Sequence, residues 1–134
     1  MEPLINTAFY AGLLALIYVY LSFGVIKLRI KHKVGIGDGG VEALGKAIRV
    51  HGNFAEYVPL IIVLLAIFEL RGGDAMWVHL MGILLVVSRL LHVVGLSKSI
   101  GTSAQRKSGM LITFGILIAL SFTFIFQFVA SQFV

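Results

Sequence analysis

The 134-residue sequence contains no cysteine and few charged residues, and both absences narrow the classes to which it can belong. Without cysteine there is no disulfide framework, no thiolate metal ligand and no thiol nucleophile in the protein. Charged residues make up 13% of the chain, with only 6 of them acidic, whereas a soluble domain averages about 25%. This charge content argues against an ordinary soluble domain.

Long apolar runs occupy most of the chain. Hydrophobic residues account for 59% of the sequence, and the mean hydropathy is +1.01. Four runs, at about 4–26, 47–70, 75–96 and 109–130, each approach or exceed the ~20 residues that a helix needs to cross about 30 Å of hydrocarbon. The chain is too short for a second domain. The sequence therefore predicts a single all-α domain, an integral membrane four-helix bundle.

The distribution of lysine and arginine predicts the orientation of this bundle. One side carries Lys27, Arg29, Lys31, Lys33 and Lys46 in the first loop, and Lys98, Arg106 and Lys107 in the third. The opposite side carries only Arg71. The positive-inside rule then places both basic loops in the cytoplasm and both termini outside.

A bacterial cytoplasmic (inner) membrane is the expected location. The N-terminus carries Glu2 rather than a basic region, and no small-x-small cleavage pattern follows the first run, so that run is expected to stay as a helix. Short termini without an ER-retention signal favour a bacterial membrane. The net charge of +5 is explained by topology and by attraction to anionic lipid headgroups.

Several other classes of ligand are not expected. No basic helix face with interleaved aromatics stands outside the membrane, which argues against a nucleic-acid partner. The glycine-rich segment 35–40 follows a membrane helix and lacks a Gly-Lys-Ser/Thr continuation, so it is interpreted as a flexible connector. The histidines and carboxylates do not have the spacing of a metal site.

One polar stripe interrupts the second apolar run. Arg49, Asn53 and Glu56 fall on one helical face and are costly inside a bilayer, where such residues usually face a bundle interior or a cavity. Arg89 and His92 in the third run are expected in the same cytoplasmic half, with Glu56 and Arg89 at similar heights and paired. The simplest functional interpretation is one polar layer open to the cytoplasm. Alternatively, the pair and the asparagine only hold helices together.

Two features of the outer runs concern packing. Gly12 and Gly24 in the first run, and Gly109 and Gly115 in the fourth, could permit close helix approach, although ordinary glycine use in membrane helices explains them equally well. The phenylalanines of the fourth run are interpreted as lipid contacts and packing residues.

The helix-two pattern resembles a known family. Arg49-x-x-x-Asn53-x-x-Glu56-Tyr57, followed by Pro59-Leu60, resembles the membrane-associated proteins in eicosanoid and glutathione metabolism (MAPEG). Arg89 in the third helix, a basic loop and a fourth apolar helix extend the resemblance over the whole chain. It implies a homotrimer that binds glutathione, as co-substrate, between neighbouring subunits and open to the cytoplasmic face.

The resemblance also implies roles for individual residues. Arg49 and Asn53 would hold carboxylate or amide groups of glutathione, and Glu56 its amino group. Tyr57 would add a polar contact, while Arg89 would order Glu56 or reach the peptide. A cation near the start of the fourth helix would stabilise the glutathione thiolate by lowering the thiol pKa. The nearest candidate is Arg106, with Lys107 and Lys98 as alternatives.

The chain departs from the family in the third helix. Catalytically competent relatives tend to carry tyrosines where this sequence has His92 and Leu96. His92 is the candidate to donate a hydrogen bond in place of the first tyrosine.

Three functions follow from the sequence. The first is a glutathione transferase or peroxidase acting on a hydrophobic electrophile that partitions from the bilayer. The second is a binding or structural membrane protein without turnover. The third is a small proton-linked carrier that uses Glu56, Arg89 and His92 as an intramembrane relay.

Overall fold

Four long helices make up nearly all of the structure, a computed structural model that describes residues 4–98 and 104–133. The helices are α1 (Ile5–His32), α2 (Glu42–Leu70), α3 (Ala75–Lys98) and α4 (Ala104–Ser131). Each is long and apolar enough to cross a membrane, and the described part of the chain contains no strand. The predicted all-α membrane four-helix bundle is confirmed.

The helices extend beyond the apolar runs that predicted them. α1 continues past residue 26 to His32, α2 begins at Glu42 rather than at 47, and α4 begins at Ala104 rather than at 109. Hydropathy marks the part of a helix that lies in hydrocarbon, whereas the backbone hydrogen bonds continue into the interface. Lysine and arginine suit such ends because their apolar stems can lie along the bundle while their charged heads reach water. α1 ends at His32, and the next residue, Lys33, has a left-handed backbone conformation with φ 54°.

The bundle core is apolar and draws on all four helices. Its fully buried members include Ile61 of α2, Leu85 of α3 and Leu120 of α4. Many large apolar side chains instead point outwards, among them Phe122, Phe126 and Phe128 of α4. Such a surface is expected where lipid replaces water. α2 runs through Pro59 as one continuous helix.

Glycine allows α3 and α4 to approach closely at one position. A Cβ atom added at Gly109 would lie 2.6 Å from the backbone oxygen of Ser88 and 3.3 Å from the Cβ of His92. A Cβ at Gly12, Gly24 or Gly115 would meet nothing within 4 Å. Of the four glycines considered for close helix approach, Gly109 therefore has that role in the described chain.

At the end of the bundle opposite Gly109, Glu69 of α2 caps the N-terminus of α1. One Glu69 carboxylate oxygen accepts hydrogen bonds from the Asn6 backbone N–H at 3.1 Å and the Asn6 side-chain amide at 2.9 Å. The other accepts from the Thr7 N–H at 2.8 Å. The backbone N–H groups of Asn6 and Thr7 belong to the first turn of α1, which lacks a side-chain cap from its own N-cap residue. The carboxylate fixes how α1 sits against α2.

Candidate functional site

An ion pair lies on the outward face of α2. Arg49 Nη1 donates to Glu56 Oε1 at 2.9 Å, and Arg49 Nη2 donates to Oε2 at 3.2 Å. This fork-to-fork geometry is the strongest form of an arginine–carboxylate contact. The two side chains remain 54% and 47% exposed within the single chain. A charged, half-open pair is therefore held on a helix that crosses the membrane.

Arg89 of α3 is buried inside the bundle, with only 1% of its surface exposed. Its Nη1 donates to Asn53 Oδ1 of α2 at 2.8 Å. Its Nη2 donates to Thr113 Oγ1 and, at 3.4 Å, to the Gly109 carbonyl of α4. One guanidinium thus joins three helices. Among the described residues all of its partners are neutral.

The predicted pairing of Glu56 with Arg89 is wrong. Glu56 binds Arg49 on its own helix, and Arg89 turns towards α4. The physical reason is that Gly109 brings the α4 backbone close enough for its carbonyl and Thr113 to accept from the guanidinium. Asn53, the third member of the stripe, is the residue that connects α2 to Arg89.

His92 lies beside this cluster but is closed off. It is 3% exposed, and neither ring nitrogen has a hydrogen-bond partner in the part of the chain that the structure describes. Its backbone and Cβ pack against Gly109. In this arrangement the imidazole reaches neither Glu56 nor the surface.

Arg106 and Tyr57 flank the cluster. Arg106 lies in the first turn of α4, not in the preceding loop as expected, and precedes Gly109 by one helical turn. Its partly buried side chain is placed on a helix N-terminus, where the backbone dipole is also positive. Tyr57 packs edge-on against Phe114 of α4, with ring centroids 5.5 Å apart. The side chains of Leu96 and Lys98 lie outside the described residues.

The neutral acceptors of Arg89 are not evident from the sequence. Ser88, Gly109 and Thr113 carry no charge, so the pattern of charged residues does not indicate them. The signal that could have found them is Thr113, the first polar side chain of the fourth apolar run, four residues after Gly109.

His51 faces away from this site. Its Nε2 lies 3.0 Å from Ser22 Oγ, and its ring stacks on Tyr18 with centroids 4.6 Å apart. Both partners belong to α1. His51 thus packs in the α1–α2 contact, on the other side of α2 from Arg49.

The site therefore has an outer and an inner layer. The outer layer, Arg49 and Glu56, offers one cation and one carboxylate to a ligand that carries both charges. The inner layer, Asn53 and Arg89, holds α2 in place behind them. A ligand can reach Arg49 and Glu56, which are exposed, but not the buried guanidinium of Arg89.

Comparison with known proteins agrees with this architecture. The MAPEG family model matches residues 7–126, a range that includes most of each of the four helices. The chain is 42% identical over 107 residues, 80% of each chain, to the "Inner membrane protein YecN" of Escherichia coli strain K12. The same values hold for the protein of that name from Escherichia coli O6:H1 strain CFT073. The chain is therefore an integral membrane protein that belongs to the MAPEG family.

Proposed function

We propose that this protein binds glutathione at the Arg49–Glu56 face and presents its thiol to hydrophobic electrophiles. The observation that carries the proposal is the half-exposed, bidentate Arg49–Glu56 pair on a membrane helix. Membership of the MAPEG family supports glutathione as the ligand class. Glutathione has two carboxylates, one ammonium group and a thiol.

Glutathione would enter by replacing the contact between Arg49 and Glu56 with contacts of its own. Its amino-acid end carries an ammonium and a carboxylate on one carbon. The carboxylate would take Arg49 and the ammonium would take Glu56, so each charge exchanges one opposite charge for another. The Arg49–Glu56 pair and the amino-acid end of the ligand remain neutralised throughout, which limits the desolvation cost of burying charge. Tyr57 adjoins this face and would add a polar contact to the ligand. Asn53, buried behind the pair, would support the site through its contact with Arg89.

A homotrimer would complete the site. In a single chain Arg49 and Glu56 are about half exposed, and contact of such charges with lipid is costly. Neighbouring subunits would enclose the pair and leave an opening at the polar end. The hydrophobic substrate would reach this site from the bilayer, alongside the apolar outer faces of α1 and α4.

The proposed orientation puts this opening in the cytoplasm. The helix ends on this side of the bundle, together with the first and third loops that join them, carry eight of the lysines and arginines. The positive-inside rule favours the cytoplasm for that side. An inner membrane, the location printed in the names of the two relatives, is consistent with this arrangement.

Arg106 is the candidate for thiolate stabilisation. Its charge and the N-terminal end of α4 both raise the local positive potential, which favours an anion such as a thiolate. In a transferase reaction the thiolate sulfur would bond to the electrophilic carbon, and the leaving group of that carbon would depart as an anion. In a peroxidase reaction the sulfur would bond to one hydroperoxide oxygen as the O–O bond breaks and the protonated alcohol leaves. A second glutathione would then convert the sulfenic acid to the disulfide and water. His92 would assist only if its ring turned out of the core.

A binding protein without turnover is the second candidate. The observation that favours it is the burial of His92, where the family's catalytic members tend to carry tyrosine. The carrier hypothesis has less support, because the described structure holds no hydrogen-bond chain from Glu56 through Arg89 to His92.

Calorimetry in detergent tests the binding claim. We expect heat of binding for wild-type protein and a loss of affinity of about tenfold or more in Glu56→Gln, because a charge-assisted contact is worth roughly 1.5–3 kcal/mol. Glu42→Gln is the matched control, since it removes a carboxylate from another exposed ion pair on the same helix, with Lys46. No heat at millimolar glutathione would reject the proposal.

A conjugation assay separates the two candidates. With a chloronitrobenzene-type electrophile, an active transferase should lose turnover in Arg106→Ala while it keeps glutathione binding. Wild-type protein that binds glutathione but turns over neither this electrophile nor a hydroperoxide would favour the binding protein.

A further inference from the structure

A second concave site lies on the other side of α2. A groove of about 570 Å³ runs between α1 and α2 and touches α3 only at Val93. Its lining in the membrane-embedded part is mostly apolar and includes Tyr20, Phe23 and Val50. Neither Arg49 nor Glu56 lines it. The groove is therefore separate from the proposed glutathione site within the chain.

Small residues create the space in this groove. Gly24 of α1 faces Ala43 and Ala47 of α2 across it. A Cβ atom added at Gly24 would meet nothing within 4 Å. The two helices are therefore held apart here rather than in contact, and the volume is open to a ligand from the bilayer.

Charge is confined to one end of the groove. Lys27 and Lys46 line it where α1 ends and α2 begins, on the side of the bundle that carries the basic residues. Lys46 is paired with Glu42 at 2.8 Å, while Lys27 has no ion pair among residues 4–98 and 104–133. The end of the groove thus carries net positive charge at the level of the lipid headgroups.

We propose that this groove binds one anionic phospholipid of the bilayer. The phosphate would sit between Lys27 and Lys46, and an acyl chain would lie along Tyr20, Phe23 and Val50. Basic pockets between membrane helices bind anionic headgroups through such contacts. The headgroup selects the lipid by charge, and the apolar lining holds its chain. The inference does not depend on glutathione binding.

Filling the groove tests the inference. Native mass spectrometry of the detergent-purified protein counts bound phosphatidylglycerol and phosphatidylcholine molecules. We expect wild-type protein to retain phosphatidylglycerol in preference to phosphatidylcholine, and Gly24→Leu to lose it, because the new side chain occupies the groove. Gly12→Leu is the control: Gly12 lies on the same helix, is open to the same extent, and does not line the groove.

Charge variants test the headgroup contact. The double change Lys27→Gln and Lys46→Gln should weaken phosphatidylglycerol binding about thirtyfold, since each basic residue near an anionic lipid contributes about 1 kcal/mol. Lys31→Gln with Lys33→Gln, which removes two lysines outside the groove, should have a smaller effect. Glu42→Gln should strengthen binding, a gain that misfolding cannot produce.

Three results would overturn the inference. The first is equal retention of phosphatidylglycerol and phosphatidylcholine by wild-type protein. The second is equal loss of lipid in Gly24→Leu and Gly12→Leu. The third is a change in the number of chains per particle in Gly24→Leu, which would show that a second copy of the chain covers the groove.

Discussion

At the scale of single residues, the main feature of the site is that, among the described residues, Arg49 and Arg89 have only one carboxylate partner between them, Glu56. Arg49 has Glu56 as a partner, but Arg89 must be satisfied by neutral oxygens from Asn53, Gly109 and Thr113. A buried guanidinium with neutral partners depends on each of them, because any donor left without an acceptor incurs its full desolvation cost. The inner layer is therefore a structural support with little tolerance for change.

Sequence reasoning located these residues along the membrane normal but not around the helix axes. Spacing along α2 and α3 predicted that the polar stripe of α2 and Arg89 lie at one level, and the contact between Arg89 and Asn53 agrees with this. It did not specify which way Arg89 turns, since that depends on the α3–α4 contact at Gly109. Pairs within one helix are predictable from spacing, whereas pairs between helices require the packing.

Asn53→Ala should lower the free energy of unfolding by about 1–3 kcal/mol, because Arg89 Nη1 loses its acceptor. Unfolding in mixed detergent micelles, followed by circular dichroism, measures the loss. In an Arg89→Met background the same change should have a much smaller effect. Equal losses in both backgrounds would show that the Asn53–Arg89 contact is not the cause.

At the scale of helices, hydropathy predicted the number and order of the elements but not their ends. The helix segments that carry Lys27, Arg29 and Lys46 were expected to be loop. Charged side chains at the ends of membrane helices are expected at the interface, where they can reach water while the backbone hydrogen bonds of the helix continue. The start of α4 had the greatest consequence, since it moves Arg106 from a loop onto a helix terminus.

Gly109→Ala should destabilise the bundle by about 1–3 kcal/mol, because its methyl group would overpack the α3–α4 contact at Ser88 and His92. Gly115→Ala on the same helix meets nothing within 4 Å and should be neutral or slightly stabilising. The same unfolding titration compares the two variants. Similar losses at both positions would argue against a specific close approach at Gly109.

Glu69→Gln should cost about 1 kcal/mol of stability, because the cap of α1 loses its charge and one of its two carboxylate oxygens. Amide hydrogen exchange at Asn6 and Thr7 should accelerate, while amides in the middle of α1 keep their protection. Glu42→Gln serves as the control for loss of an acidic residue on α2. Unchanged exchange at both capped amides would contradict the capping role.

At the scale of the whole molecule, the distribution of charge predicts which side of the membrane each loop occupies. The natural absence of cysteine allows a direct test, because any introduced cysteine is the only thiol. Ile36→Cys, at a position 94% exposed in the first loop, should react with a membrane-impermeant thiol reagent only after cells are permeabilised. Asp74→Cys, in the turn before α3, should react in intact cells. If Ile36→Cys reacted in intact cells and Asp74→Cys only after permeabilisation, the orientation would be the opposite of the one proposed.

The central claim is that glutathione replaces the partners of the Arg49–Glu56 pair, and a cycle between ligand and protein variants tests it most directly. Calorimetry would compare glutathione with an analogue that lacks the amino group, on wild-type protein and on Glu56→Gln. Loss of the amino group should weaken binding to wild-type protein about tenfold and should leave binding to Glu56→Gln nearly unchanged, because that contact is already gone. The same loss in both proteins would contradict the account, since Glu56 would then not be the residue that holds the amino group.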